Sequence, residues 1–90
     1  MRITSMLSHN GNPVPNQFVI SGNDGAESFR SYDTIIAEVK DGKTLLDPKW
    51  DCSKTTMKYA ASFLGVDGKK DIQKRIDSGE YVVQNLNAAK

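Results

Sequence analysis

Apolar and polar residues alternate through the first half of the chain and fall at helical spacing through the second. Residues 2 to 8, RITSMLS, alternate weakly and predict a first strand, and the Asn, Gly and Pro residues of the following HNGNPVPN predict a loop. QFVIS is β-branched and aromatic, GNDG supplies residues that tolerate positive φ, and AESFRSY follows, so Gln17 to Tyr32 reads as a hairpin. TIIAEVK is a further strand. Asp41 to Lys43 turn it, and TLLD pairs back until Pro48 ends the run.

From Ser53 the period changes. Met57, Ala60, Ala61 and Leu64 stand at i, i+3, i+4 and i+7, one face of a helix over Ser53 to Leu64, with Gly65 where a left-handed C-cap belongs. A second helix is expected from Asp67 to Ser78. Ile72 and Ile76 are one turn apart in it, Asp71 and Arg75 are spaced as an i,i+4 pair, and Gly79 is its stop. EYVVQNL reads as a closing strand. The expected fold is α+β, in the order β-β-β-β-β-α-α-β: an antiparallel sheet of five or six strands with an αα-hairpin packed on one face. With no repeat, linker or low-complexity segment, residues 1–90 read as one domain.

Composition narrows the classes of function. At 90 residues the chain is expected to bury about 60 to 65% of its unfolded surface. Its 38% apolar and 26% charged content is that of a folded protein, and a formal charge of +1 leaves electrostatic function to local patches. A single cysteine makes no internal disulfide, and no Cys/His spacing suggests zinc, so neither metal nor cofactor is expected and the implied setting is reducing. The N-terminus lacks the apolar core of a secretory signal and no segment is long enough to span a membrane. A cytoplasmic protein is the expectation, with no membrane partner.

Candidate chemistry is sparse. Cys52 precedes the expected N-cap, where helix amides stabilise a thiolate, but a nucleophile also needs a base, and nothing ties His9 to it. The alternative is a small buried hydrophobe. DGKTLL contains Gly-Lys-Thr, yet the Walker pattern needs glycine where Ala37 stands and a helix where TLLD follows. The carboxylates Asp24, Glu27, Asp33, Glu38, Asp41, Asp47 and Asp51 are scattered singly, which is the pattern of a solvated surface rather than of a hydrolytic pair. No catalytic residue is assigned, and the chain reads as a non-enzyme.

The SKTT cluster has two readings. Ser53 suits an N-cap, worth about 1 kcal/mol. The remaining hydroxyls of Thr55 and Thr56, with Lys54 and Lys58 one turn apart, also suit an anion site for a nucleic-acid phosphate or a partner's carboxylate. The second helix adds Lys69, Lys70, Lys74 and Arg75 among Asp67, Asp71 and Asp77; mixed charge of this kind is a solvated face or, if the lysines align, a basic ridge with Tyr59 available for stacking. Lys54, Thr55, Lys58, Tyr59, Lys69, Lys70, Lys74 and Arg75 are therefore the partner-binding candidates. Trp50, where strand becomes helix, is expected in the core, the alternative being an exposed binding hot spot.

SYDTIIAEV, WDCSKTTMKYAASFLG and RIDSGEYVVQNLN resemble a family of small, functionally uncharacterised proteins from bacterial phages, prophages and plasmids, over roughly Phe29 to Asn87. An aromatic residue is common in that pattern where Cys52 stands here, so the resemblance lends a thiol function no support. The recurring WD, S-x-TT-x-KY, FLG and SGEY elements imply a shared fold and a mobile-element origin, and the resemblance implies that the cell is a bacterial host. The expected function is stoichiometric binding of a host protein or ribonucleoprotein complex, in its most concrete form inhibition of a defence complex such as CRISPR–Cas. The alternative is direct nucleic-acid binding by the helical ridge. The sequence leaves the oligomeric state open.

Overall fold

The computed structural model describes residues 2–8 and 10–87; His9 lies outside them. Six strands and two helices follow in the expected order: β1 (Arg2–Leu7), β2 (Pro13–Ser21), β3 (Glu27–Ser31), β4 (Thr34–Lys40), β5 (Lys43–Leu46), α1 (Lys54–Leu64), α2 (Lys69–Asp77) and β6 (Tyr81–Val83). The sheet is a meander in sequence order, antiparallel from β1 to β5. Its last pairing differs from the antiparallel expectation, because β6 lies parallel to β5 with Leu45 opposite Val82. A parallel neighbour needs a crossover connection, and the two helices between Leu46 and Tyr81 form it. Residue periodicity carries no information on strand direction.

Turn chemistry sets the hairpins. Asp41 and Gly42 have φ of 53° and 77° and join Lys40 to its partner Lys43, a two-residue turn whose twist matches the strands. The Gly-Lys-Thr run is therefore hairpin. In the β2–β3 turn the Asp24 carboxylate accepts the Ala26 amide at 3.1 Å and the Lys40 ammonium at 2.9 Å, fastening that turn to the end of β4. One expectation fails here: Pro13 to Asn16 belong to β2, and the loop ends before Pro13, where the Ser8 amide donates to the Asn12 carbonyl at 2.8 Å. Pro13 is tolerated as the first residue of its strand, and Pro15 falls in the register break of the β1–β2 pair, where it has no cross-strand partner position.

Ser53 caps α1, its hydroxyl accepting the Thr56 amide at 3.1 Å, and Gly65 closes it at φ 73° while the Val66 amide reaches the Ala61 carbonyl at 3.0 Å. α2 starts two residues later than expected, with Gly68 at the N-cap; Asp71 reaches back to accept the Asp67 amide at 3.2 Å. Phe63 of α1 stacks on Phe29 of β3 with centroids 6.0 Å apart, and Arg75 of α2 lies over the Tyr81 ring of β6. The cross-strand register puts Phe29 and Tyr81 on one face, so both helices cover the same side of the sheet. Phe29, Ile36, Leu46, Ala60 and Ile72 are fully or almost fully buried between them.

Trp50 is 5% exposed and belongs to this core, as its place between strand and helix implies. Gln17 is 1% exposed on the same face, opposite Ser31, and neither atom of its amide has a hydrogen-bond partner. The two residues predict opposite stability effects. Trp50→Ala removes a buried indole and costs about 3 to 5 kcal/mol, read as a lower urea midpoint. Gln17→Met keeps the volume and removes two unsatisfied polar atoms, raising stability by about 1 to 3 kcal/mol in the same titration.

Candidate functional site

The structure divides the eight sequence-predicted residues. On α1 the buried residues Thr56, Tyr59, Ala60 and Ala61 form the inner face, which leaves Lys54, Thr55 and Lys58 on the solvent side. Tyr59 is thus corrected: at 9% exposure its ring lies in the core, capped by the Lys58 ammonium 5.4 Å from its centroid, and offers no stacking surface. On α2 the same logic turns Ile72 inward and Lys69, Lys70 and Lys74 outward. Lys69 Nζ stands 3.8 Å from the Asp51 carboxylate, tying the start of α2 to the turn before α1. Arg75 bonds Asp71 at 3.1 Å and also Glu80, so its guanidinium is engaged within the fold. Lys54, Lys58, Lys70 and Lys74 remain as exposed cations, two per helix at i,i+4 spacing.

Tyr32 adds what sequence reasoning missed. It occupies the β3–β4 turn with φ 56° and is 59% exposed, an aromatic ring in a backbone region that non-glycine residues rarely adopt. Its neighbour Ser31 is buried, and the Ser31 hydroxyl meets the Thr56 hydroxyl at 2.9 Å. Thr56 also receives the Ser53 hydroxyl at 3.0 Å. This chain of hydroxyls sets the Tyr32 turn against the first turn of α1, beside the part of the helix that exposes Lys54 and Thr55. The extra hydroxyls of the SKTT run are therefore partly structural. The sequence signal for Tyr32 was weak: a Tyr-Asp pair between two strands marks a turn but not the hand of its backbone.

Two further expectations are corrected. Cys52 is exposed rather than a buried hydrophobe, because the turn from Asp47 to Ser53 carries it to the surface once the Trp50 ring has turned inward. Asp47, read with the other carboxylates as solvated, is 3% exposed. Its Oδ1 accepts the Leu86 amide at 2.9 Å and the Asn87 side-chain amide at 3.0 Å, and its Oδ2 accepts the Lys49 amide at 3.1 Å. An open cavity of about 340 Å³ lies beside it, lined by Thr34, Pro48, Lys49 and Asn85 among others. Asp47 is committed to three donors, which makes the cavity floor structural. Among the described residues no group of three His, Cys, Asp or Glu side chains is placed to hold a metal ion, and no helix is long and apolar enough to cross a membrane.

The titration of α2 follows from its caps. The Asp67 amide, with the Arg75 guanidinium beside it, holds the Asp71 carboxyl below its ordinary value. A depressed folded-state value contributes stability at pH above the unfolded carboxyl, about 3.9, and the contribution disappears as pH falls through the folded value. Asp71→Asn should accordingly lower the melting temperature at pH 7, and the gap from the parent chain should close on acidification to pH 2.

No curated protein and no solved structure matches the chain. The model of the Family of unknown function (DUF8033) matches residues 1–79, a span that holds β1 through α2 and every exposed residue of the Tyr32–α1 surface. The chain belongs to that family.

Proposed function

We propose that the protein acts without catalysis, as a stoichiometric ligand of a host macromolecule, and that it grips its partner with the Tyr32 turn and the solvent face of α1. One observation carries this: the Ser31–Thr56 contact sets an exposed, conformationally constrained tyrosine next to a helix start bearing Lys54, Thr55 and Lys58. An aromatic anchor flanked by cations is the composition of a binding hot spot, and it suits an acidic patch on a protein or ribonucleoprotein. Lys70 and Lys74 on α2 extend the positive side. Together with the likeness to phage, prophage and plasmid proteins, the most concrete form of this function is inhibition of a nucleic-acid-guided defence complex in the bacterial cytoplasm.

Direct nucleic-acid binding is the second reading, supported by the same four lysines. The burial of Tyr59 and the pairing of Lys69 and Arg75 within the fold weaken it, since they remove three members of the proposed ridge. Low-salt gel shifts with single- and double-stranded DNA and RNA separate the two; a retarded band whose affinity falls steeply with salt would favour the second.

The binding reading makes a split prediction. Tyr32→Gly relieves a left-handed non-glycine residue by about 1 kcal/mol and gives back a similar amount of chain entropy, so the melting temperature should stay within a few degrees. The same variant, and Lys54→Glu with Lys58→Glu, should lose co-elution with purified guided effector complexes by at least tenfold in affinity. Binding that is indifferent to both variants would rule this surface out. If the parent chain co-elutes with none of the complexes, the defence-inhibitor form is wrong.

A further inference from the structure

Both helices lie on one side of the sheet, and no described element covers the other. The strand register reads out what that second face carries. Ile3, Ile20, Ser28, Glu38, Leu45 and Val82 stand opposite one another in a single row across all six strands. The next row holds Ser5, Phe18, Arg30 and Ile35. Ile3 and Val82, at the two ends of the first row, are 51% and 50% exposed. Apolar side chains thus occupy both flanks of this face, with Ser28 and two opposite charges, Arg30 and Glu38, at its centre on the adjacent strands β3 and β4, and the pair Lys40 and Lys43 beyond them at one end.

Those charges are incompletely matched within the chain. The Arg30 guanidinium lies over the Phe18 ring, 4.9 Å from its centroid, and its buried Nε has no acceptor. Glu38 is half-buried; of the two lysines on this face beside it, Lys40 is bonded to Asp24 at 2.9 Å, and Lys43 is exposed at the end of β5. A buried donor without a partner is costly, and a charge held on an apolar face invites an opposite charge from outside.

We infer that this face is the interface of a homodimer: two copies stack sheet on sheet about a two-fold axis lying between them over the β3–β4 boundary, each Arg30 meeting the Glu38 of the other copy. A two-fold interface requires a self-complementary patch, and a central pair of opposite charges on neighbouring strands satisfies that requirement twice. Size is consistent with it. Six strands about 4.8 Å apart and roughly 20 Å long give a footprint of about 600 Å² before side-chain relief, near the ~800 Å² per partner of a standard interface. The net charge of +1 per chain opposes association only weakly. In such a dimer the helices point outward, and the Tyr32–α1 surface is displayed on both sides. The inference does not depend on the function proposed above.

Sedimentation equilibrium between about 10 and 500 µM reads it directly. The expected mass is twice that of the 9.9 kDa chain. Arg30→Glu and Glu38→Arg, each alone, set like charges face to face and should raise the dimer dissociation constant at least tenfold; the two together restore the pairing and the mass. Ile3→Lys, at a half-exposed position on the rim of the row, should weaken association with the fold intact by circular dichroism. A parent chain that remains monomeric at 500 µM overturns the inference and leaves the face to another partner. A dimer insensitive to Ile3→Lys and to both charge reversals overturns it too, because its interface is elsewhere.

Discussion

A buried carboxylate at the end of β5 fixes more of this structure than any apolar contact. Asp47 takes three donors from two distant parts of the chain: the Lys49 amide just after it, and the Leu86 amide and Asn87 side chain after β6. A carboxyl group buried in the fold must be satisfied by hydrogen bonds. Satisfying this one requires the chain to turn immediately after β5 and to return beside it after the crossover. Trp50 is then delivered to the core, α1 starts at Ser53, and the segment following β6 has one place to go.

That constraint explains what was legible in the sequence and what was not. The meander was legible because each turn is local: Asp41-Gly42 and the GNDG run specify their own backbone. The helices were legible from Met57, Ala60, Ala61 and Leu64, and from the Ser53 and Gly65 caps. Asp47 was not, because a carboxylate that will be buried is indistinguishable in sequence from one that will be solvated until its donors are known. Here the donors lie 39 and 40 positions away. The parallel sense of β6 was hidden for the same reason. Of the surface residues, Lys54, Thr55 and Lys58 could be placed by helical phase alone, whereas Tyr59 occupies the boundary of the apolar arc, where phase does not decide. The Asp71–Arg75 pair was legible from its i,i+4 spacing, whereas the pairs of Lys69 with Asp51 and of Arg75 with Glu80 reach outside the helix that carries them.

The molecule therefore has two unlike sides. The helical side buries the core and shows lysines to solvent; the opposite side is bare sheet with apolar flanks, Arg30 and Glu38 at its centre and two lysines at one end. They communicate through few residues. Ser31 and Thr56 link the β3–β4 turn to α1, while Arg30, one position earlier, faces the other way. Because alternate residues of one strand serve the two sides, a change at one position of β3 perturbs a single surface, and the chain can bind differently on its two faces with little interference between them.

Asn87 completes the sheet in an unusual manner. Its side-chain oxygen accepts the Ile35 amide at 2.9 Å and its nitrogen donates to the Ile35 carbonyl at 3.0 Å, so one primary amide stands in for a peptide group of a missing neighbour strand. The same nitrogen reaches Asp47 at 3.0 Å. Only a carboxamide has this combination of donor and acceptor, and carboxamides of asparagine are chemically perishable. Deamidation would exchange the donor for an oxygen, leave the Ile35 carbonyl facing an acceptor, and place a second negative charge against Asp47. The clip that holds the end of the chain to β4 thus depends on one nitrogen atom, and its replacement by oxygen would release that end from both β4 and Asp47.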